Sequence, residues 1–125
     1  MNENDISSII VDCCFRIHKT LGPGLFESVY EEILSHELKK NNLSIERQKT
    51  LPVHYDGIDL EIGFRTDIIV ENKVIIEIKS VESINPTHKK QLLTYLRLSN
   101  MKLGILVNFN SALIKYGITR IVNDL

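Results

Sequence analysis

Val74-Ile75-Ile76-Glu77-Ile78-Lys79 decides how the chain is read. The run favours β structure, and apart from two residues it has the composition of a strand buried at the centre of a sheet. Those two are Glu77 and Lys79. Side chains alternate along a strand, so both point to one face while Val74, Ile76 and Ile78 point to the other. A core strand does not usually devote two positions to charge without a use for them. A Glu-x-Lys pair on a strand is more often a solvated cross-strand ion pair, so the neighbouring residues must decide between the two readings.

Upstream lies Phe64-Arg65-Thr66-Asp67-Ile68-Ile69-Val70, which predicts a second strand with Arg65, Asp67 and Ile69 on a common face. Whether Asp67 meets Glu77 depends on register. If Glu71, Asn72 and Lys73 form a three-residue loop, Val70 pairs with Val74 and Asp67 stands opposite Glu77. A two-residue loop pairs Asp67 with Ile76 instead and turns it away. If the carboxylates meet, their repulsion in a partly dehydrated site is relieved by a divalent cation. Hard oxygen donors suit Mg²⁺, with Mn²⁺ as substitute. Mg²⁺ is commonly held by one or two carboxylates plus substrate phosphate, so Asp67, Glu77 and the Ile78 carbonyl are the expected ligands. Lys79 would orient the attacking water or help to deprotonate it, and would stabilise charge building on the phosphate.

Working outward, Asp5 or Ser7 is expected to cap a first helix whose apolar residues Ile6, Ile10, Cys13, Ile17 and Leu21 recur at three- and four-residue steps. Gly22-Pro23-Gly24 breaks it. A second helix is expected from about Phe26 to Lys40, with Phe26, Val29, Tyr30, Ile33, Leu34 and Leu38 as its buried stripe. Short strands follow at Ser44–Lys49, Pro52–Tyr55 and Ile58–Ile62, with Asp56-Gly57 as a hairpin turn. Asn85-Pro86 starts a third helix reaching about Leu98, and strands are expected at Leu103–Phe109 and, at an edge, Ile118–Val122. The order predicts an α+β layout, a sheet flanked by helices.

At 125 residues the chain fits one compact domain, residues 1–125, and 43% apolar with 25% charged composition is ordinary for a globular chain. It contains no apolar stretch of the ~20 residues that span a bilayer, and its polar, acidic opening lacks the order of a secretion signal, so a cytoplasmic location with no membrane partner is expected. Cys13 and Cys14 are adjacent in an apolar run and read as buried free thiols. His18, His36 and His54 show no metal-ligand spacing. A net charge of −1 counts against tight non-specific nucleic-acid binding, although local positive charge is available at Lys39-Lys40, Arg47, Lys49, Lys89-Lys90 and Lys102.

Asp67 followed by Glu77-Ile78-Lys79 resembles the D…(D/E)XK signature of the PD-(D/E)XK nuclease superfamily, with Thr66 where that signature has proline. Gly24-Leu25-Phe26-Glu27-Ser28-Val29-Tyr30 resembles the motif of the GxxExxY family within it. His18–Gly24, Gln91–Leu96 and Val107-Asn108-Phe109 look like further blocks of that family. The resemblance implies a restriction-endonuclease-like fold, a mixed central sheet flanked by helices. It also implies that Glu27 reaches the metal site or a water bound there, whereas by position alone Glu27 is a first-turn carboxylate complementing the helix dipole. Gln91 and Tyr95, one helical turn apart, resemble the superfamily's QxxxY element and would help to hold the active site and the nucleic-acid backbone. His88 reads as a solvent-facing first-turn residue.

The expectation is a metal-dependent nuclease that hydrolyses phosphodiester bonds of DNA or RNA by attack of a metal-activated water. The alternative is a catalytically silent nuclease fold serving as a nucleic-acid or protein interaction module. A domain this small leaves little surface for substrate, so a homodimer or a protein partner would complete the groove.

Overall fold

The structure is a computed structural model that describes residues 1–125, the side chains of Glu61 and Ile62 excepted. Two helices lead: α1, Glu3–Leu21, and α2, Glu27–Lys40. Asn2 caps α1, its side chain accepting from the Asp5 amide at 2.8 Å while the Asp5 carboxylate accepts from the Asn2 amide at 3.2 Å. The helix therefore begins a turn earlier than the sequence suggested, because Asp5 is the third residue of a capping box and not the cap.

A long ribbon follows, β1 (Ile45–Tyr55) and β2 (Ile58–Val70), then β3 (Val74–Lys79), α3 (Pro86–Ser99), β4 (Leu103–Asn108), a short 3₁₀ turn at Ile114–Tyr116 and β5 (Ile118–Val122). The five strands form one mixed sheet in the order β1-β2-β3-β4-β5. Only β3 and β4 run parallel, which requires the crossover that α3 supplies. Each pair of short strands expected before Val70 is one continuous strand. The expected boundaries, next to Pro52 and Gly63, fall where the ladder shifts between Leu51 and Val53. At Gly63 a Cβ would sit 1.7 Å from the Leu51 carbonyl oxygen, so only glycine admits that approach. The hairpin turn at Asp56-Gly57 is confirmed, both residues having positive φ (49° and 75°) and Tyr55 pairing with Ile58.

The two faces of the sheet carry two cores. Ile68, Val70, Val74, Ile76 and Ile78 join Leu103, Ile105 and Val107 beneath α1 and α2. Ile69, Ile75 and Leu106 meet Leu92 and Leu96 of α3 on the other face. Cys13 and Cys14 are buried free thiols, and burial pushes both up from the ordinary thiol range. The α2 stripe is narrower than its periodicity promised. Tyr30, Leu34 and Leu38 are buried, but Phe26 is 82% exposed because it precedes the helix as N-cap, and Val29 is also exposed. No helix among the described residues is long and apolar enough to cross a membrane. The architecture is the expected α+β one, a restriction-endonuclease-like mixed sheet between helices.

Candidate active site

Register is the first test of the site, and Val70 pairs with Val74 across the three residues Glu71, Asn72 and Lys73. Glu71 and Asn72 both adopt left-handed φ, 54° and 53°, which lets the chain reverse in that length. Asp67 consequently falls in line with Glu77. The β2–β3 ladder ends at Ile68–Ile76, and beyond it the Asp67 carboxylate takes the place of backbone, its Oδ2 accepting from the Ile78 amide at 2.7 Å. In an extended strand the N–H and C=O of one residue point to the same side. The Lys79 carbonyl accepts from Phe109 on the β4 side, so the carbonyl of Ile78 is directed toward β2, beside Asp67.

Glu77 is buried, and its Oε1 has no hydrogen-bond partner among the described residues. Its carboxyl is pushed up from the ordinary 4.5 to about 9, first by burial, then by the charge of Asp67 and a hydrogen bond with it, with Lys79 pulling weakly the other way. A carboxyl raised so far resists ionisation at neutral pH. Burial and the two carboxylates also raise the Tyr95 hydroxyl, which puts Tyr95 within electrostatic reach of the pair. The Tyr95 ring stacks on Phe64 at 4.2 Å. Gln91, one turn earlier on α3, is exposed.

Glu27 is positioned from the other face. Tyr30 stacks on Phe109 at 4.4 Å, and its hydroxyl donates to the Gly22 carbonyl (2.6 Å) and accepts from the Leu25 amide (3.3 Å). That hydroxyl closes the Gly22–Leu25 loop and fixes where α2 begins, the physical content of the Gly-x-x-Glu-x-x-Tyr spacing. Glu27 Oε2 then accepts from the Ser80 amide at 3.0 Å, and the Ser80 hydroxyl donates to the Leu25 carbonyl at 2.7 Å. Glu27 is thus held at the end of β3, one residue beyond Lys79. It lines a cleft of about 610 Å³ together with Glu31, Glu32, Arg47, Gln48 and Asp67.

The donor chemistry fits a divalent cation. A carboxylate pair with one buried, unpartnered oxygen and a carbonyl beside it is a set of hard oxygen donors with unmet demand. Among the described residues no three His, Cys, Asp or Glu side chains converge on one point, so Glu27 does not close a triad with Asp67 and Glu77. The cation's remaining positions would fall to water and phosphate, as is usual for Mg²⁺.

Three further residues take roles that the sequence did not assign to them. Arg47, read as free positive charge, is held by Glu31 (3.0 Å) and Glu32 (3.1 Å). Gln48 donates to Glu31 at 2.6 Å and to Asp67 at 3.3 Å. Buried Asn108 braces the loop after β3, accepting from the Val81 amide at 3.1 Å and donating to the Val81 carbonyl at 2.9 Å. Asn108 lay within a block quoted for its family likeness, whereas nothing in the polar run around Gln48 marked it. Lys49 and Lys40 pair with Glu46 and Glu37. His88 completes a capping box on α3 with Asn85, each residue's side chain accepting from the other's amide.

Comparison with known proteins identifies the superfamily and the fold. No curated protein matches the chain. Among solved structures, SSO0001 is 30% identical with a TM-score of 0.58, over 79% of this chain and 51% of its own, so the chain spans about half the length of that relative. An alkaline exonuclease from Laribacter hongkongensis (LHK-Exo) is 16% identical with a TM-score of 0.50, over 98% of this chain and 69% of its own, a likeness of fold. The profile of the PD-(D/E)XK nuclease superfamily matches residues 4–121, nearly the whole chain, and the chain belongs to that superfamily.

Proposed function

We propose that the chain is a metal-dependent nuclease that hydrolyses phosphodiester bonds of DNA or RNA, a single domain over residues 1–125 and a member of the GxxExxY family. The observation that carries the reading is the alignment of Asp67 with a buried Glu77 whose Oε1 lacks a partner. Asp67, Glu77 and the Ile78 carbonyl would hold Mg²⁺, or Mn²⁺ in its place. When bound, the cation supplies the Lewis acidity that polarises the phosphate and acidifies the attacking water. Lys79 shares the strand face of Glu77 and its charge acts on that carboxyl, so its ammonium can orient the water and offset charge growing on the phosphate. Glu27 acts from the cleft side through water, and Tyr95 with Gln91 steadies the site and the nucleic-acid backbone from α3. The protein works in the cytoplasm, and a second copy or a protein partner completes the groove.

A non-catalytic interaction module is the competing reading, favoured by the lack of a third converging acid among the described residues. A cleavage screen over single-stranded, duplex, flap and RNA substrates with Mg²⁺ and Mn²⁺, run beside Lys79→Ala, separates the two. The expected result is cleavage of at least one substrate and a loss of about 100-fold or more in the variant. Undiminished cleavage by Lys79→Ala would contradict the assigned chemistry, and no cleavage of any substrate would favour the module.

A further inference from the structure

Gln48 lies within β1 with φ of 50°, a left-handed conformation that a glutamine adopts only under constraint. Strand pairing does not impose it. Arg47 opposes Ile68 and Lys49 opposes Thr66, so the ladder keeps one register on either side of Gln48. What the conformation achieves is the direction of the side chain. Its terminal amide lies 2.6 Å from Glu31 Oε1 and 3.3 Å from Asp67 Oδ1. Both neighbours are carboxylate oxygens, so the group between them must be the NH₂, with one proton for each.

Glu31 is itself immobilised. It is 7% exposed on α2, and its Oε2 accepts from Arg47 Nε and from a terminal nitrogen of the same guanidinium, both at 3.0 Å. The contacts run without a gap from Arg47 to Glu31, to the Gln48 amide and to Asp67, whose other oxygen meets the Ile78 amide at 2.7 Å. Without Gln48, Asp67 would keep only one of these two anchors, and the Oε1 of Glu31 would face it with no proton between them.

Building on the proposed metal site, we infer that Gln48 is a positioning residue for Asp67. Its strained backbone and the Glu31–Arg47 pair aim one amide so that the Asp67 carboxylate presents a fixed face to the cation. Groups that orient metal ligands in this way commonly change metal affinity or activity 10- to 100-fold when removed, by the measure of known metal sites.

Two variants separate positioning from a structural role. Gln48→Gly adopts a φ of 50° without strain and deletes the amide. Gln48→Glu keeps the length and removes the donor. Three quantities are read for each: the melting temperature, hydrogen exchange of the Ile78 amide by NMR, and Mn²⁺ affinity by calorimetry. For Gln48→Gly the melting temperature is expected to hold or rise, while the Ile78 amide exchanges about tenfold faster or more and Mn²⁺ binds about tenfold more weakly. Gln48→Glu is expected to show the same two losses. An Ile78 amide unchanged in both variants would overturn the assignment. Wild type that fails to bind Mn²⁺ would instead remove the metal reading, and Ile78 exchange would still decide whether Gln48 holds Asp67.

Discussion

A carboxyl group enclosed as Glu77 is resists ionisation, and that cost appears in stability before any substrate is present. Its folded value of about 9 lies above the ordinary 4.5, so the folded state keeps a proton that the unfolded state releases. The stabilisation is whole below pH 4.5 and is lost as pH rises through about 9. Glu77→Gln should therefore gain on the wild type as pH rises, by on the order of 2 kcal/mol or more between pH 5 and pH 8 in metal-free urea denaturation. A gap independent of pH would show that Glu77 is ionised in the fold. Adding Mn²⁺ should restore the wild type more at pH 8 than at pH 6 and leave Glu77→Gln unmoved. At this scale the sequence revealed much, since two charges in an apolar strand and one acid upstream were enough to nominate the pair. Gln48 stayed hidden because a left-handed φ in a glutamine leaves no trace in composition or periodicity.

Among the elements, α3 carries Tyr95 within electrostatic reach of the carboxylate pair, and its seating depends on Gly104 and Asn85. A Cβ at Gly104 would come within 2.9 Å of the Leu92 side chain, so Gly104→Ala should lift the helix from the sheet. The expected cost is about 1–3 kcal/mol in denaturation, with the Phe64–Tyr95 stacking loosened in NMR spectra. Asn85→Ala removes the cap that accepts from the His88 amide at 3.2 Å and should cost about 1 kcal/mol. An unchanged melting temperature in either variant would contradict these roles. The third helix was legible because Asn-Pro is a local signal. The β2–β3 strands could be read but their register could not, since two- and three-residue loops suited the sequence equally and only the ladder decides between them. The α2 face was not, because apolar spacing cannot tell that Phe26 lies just outside the helix as its N-cap. The unbroken course of β1 and β2 was hidden too, since the short β-favouring runs part at places where the ribbon only shifts its ladder.

Over the whole molecule, charge is nearly balanced, with 15 basic against 16 acidic residues, and part of the basic set is tied up in ion pairs. Binding of nucleic acid should then depend only weakly on salt. With divalent cations removed by chelation, log K against log[salt] is expected to have a slope no steeper than about −3. A slope near −10 would reveal a basic surface that the fold does not suggest. The most direct test of the shared cation remains calorimetry of Mn²⁺ binding to wild type and to Asp67→Ala. Wild type should bind in the micromolar to millimolar range, as sites completed by substrate do, and Asp67→Ala should give no heat. Equal heats from the two proteins would contradict the pairing of Asp67 with Glu77 around a metal ion.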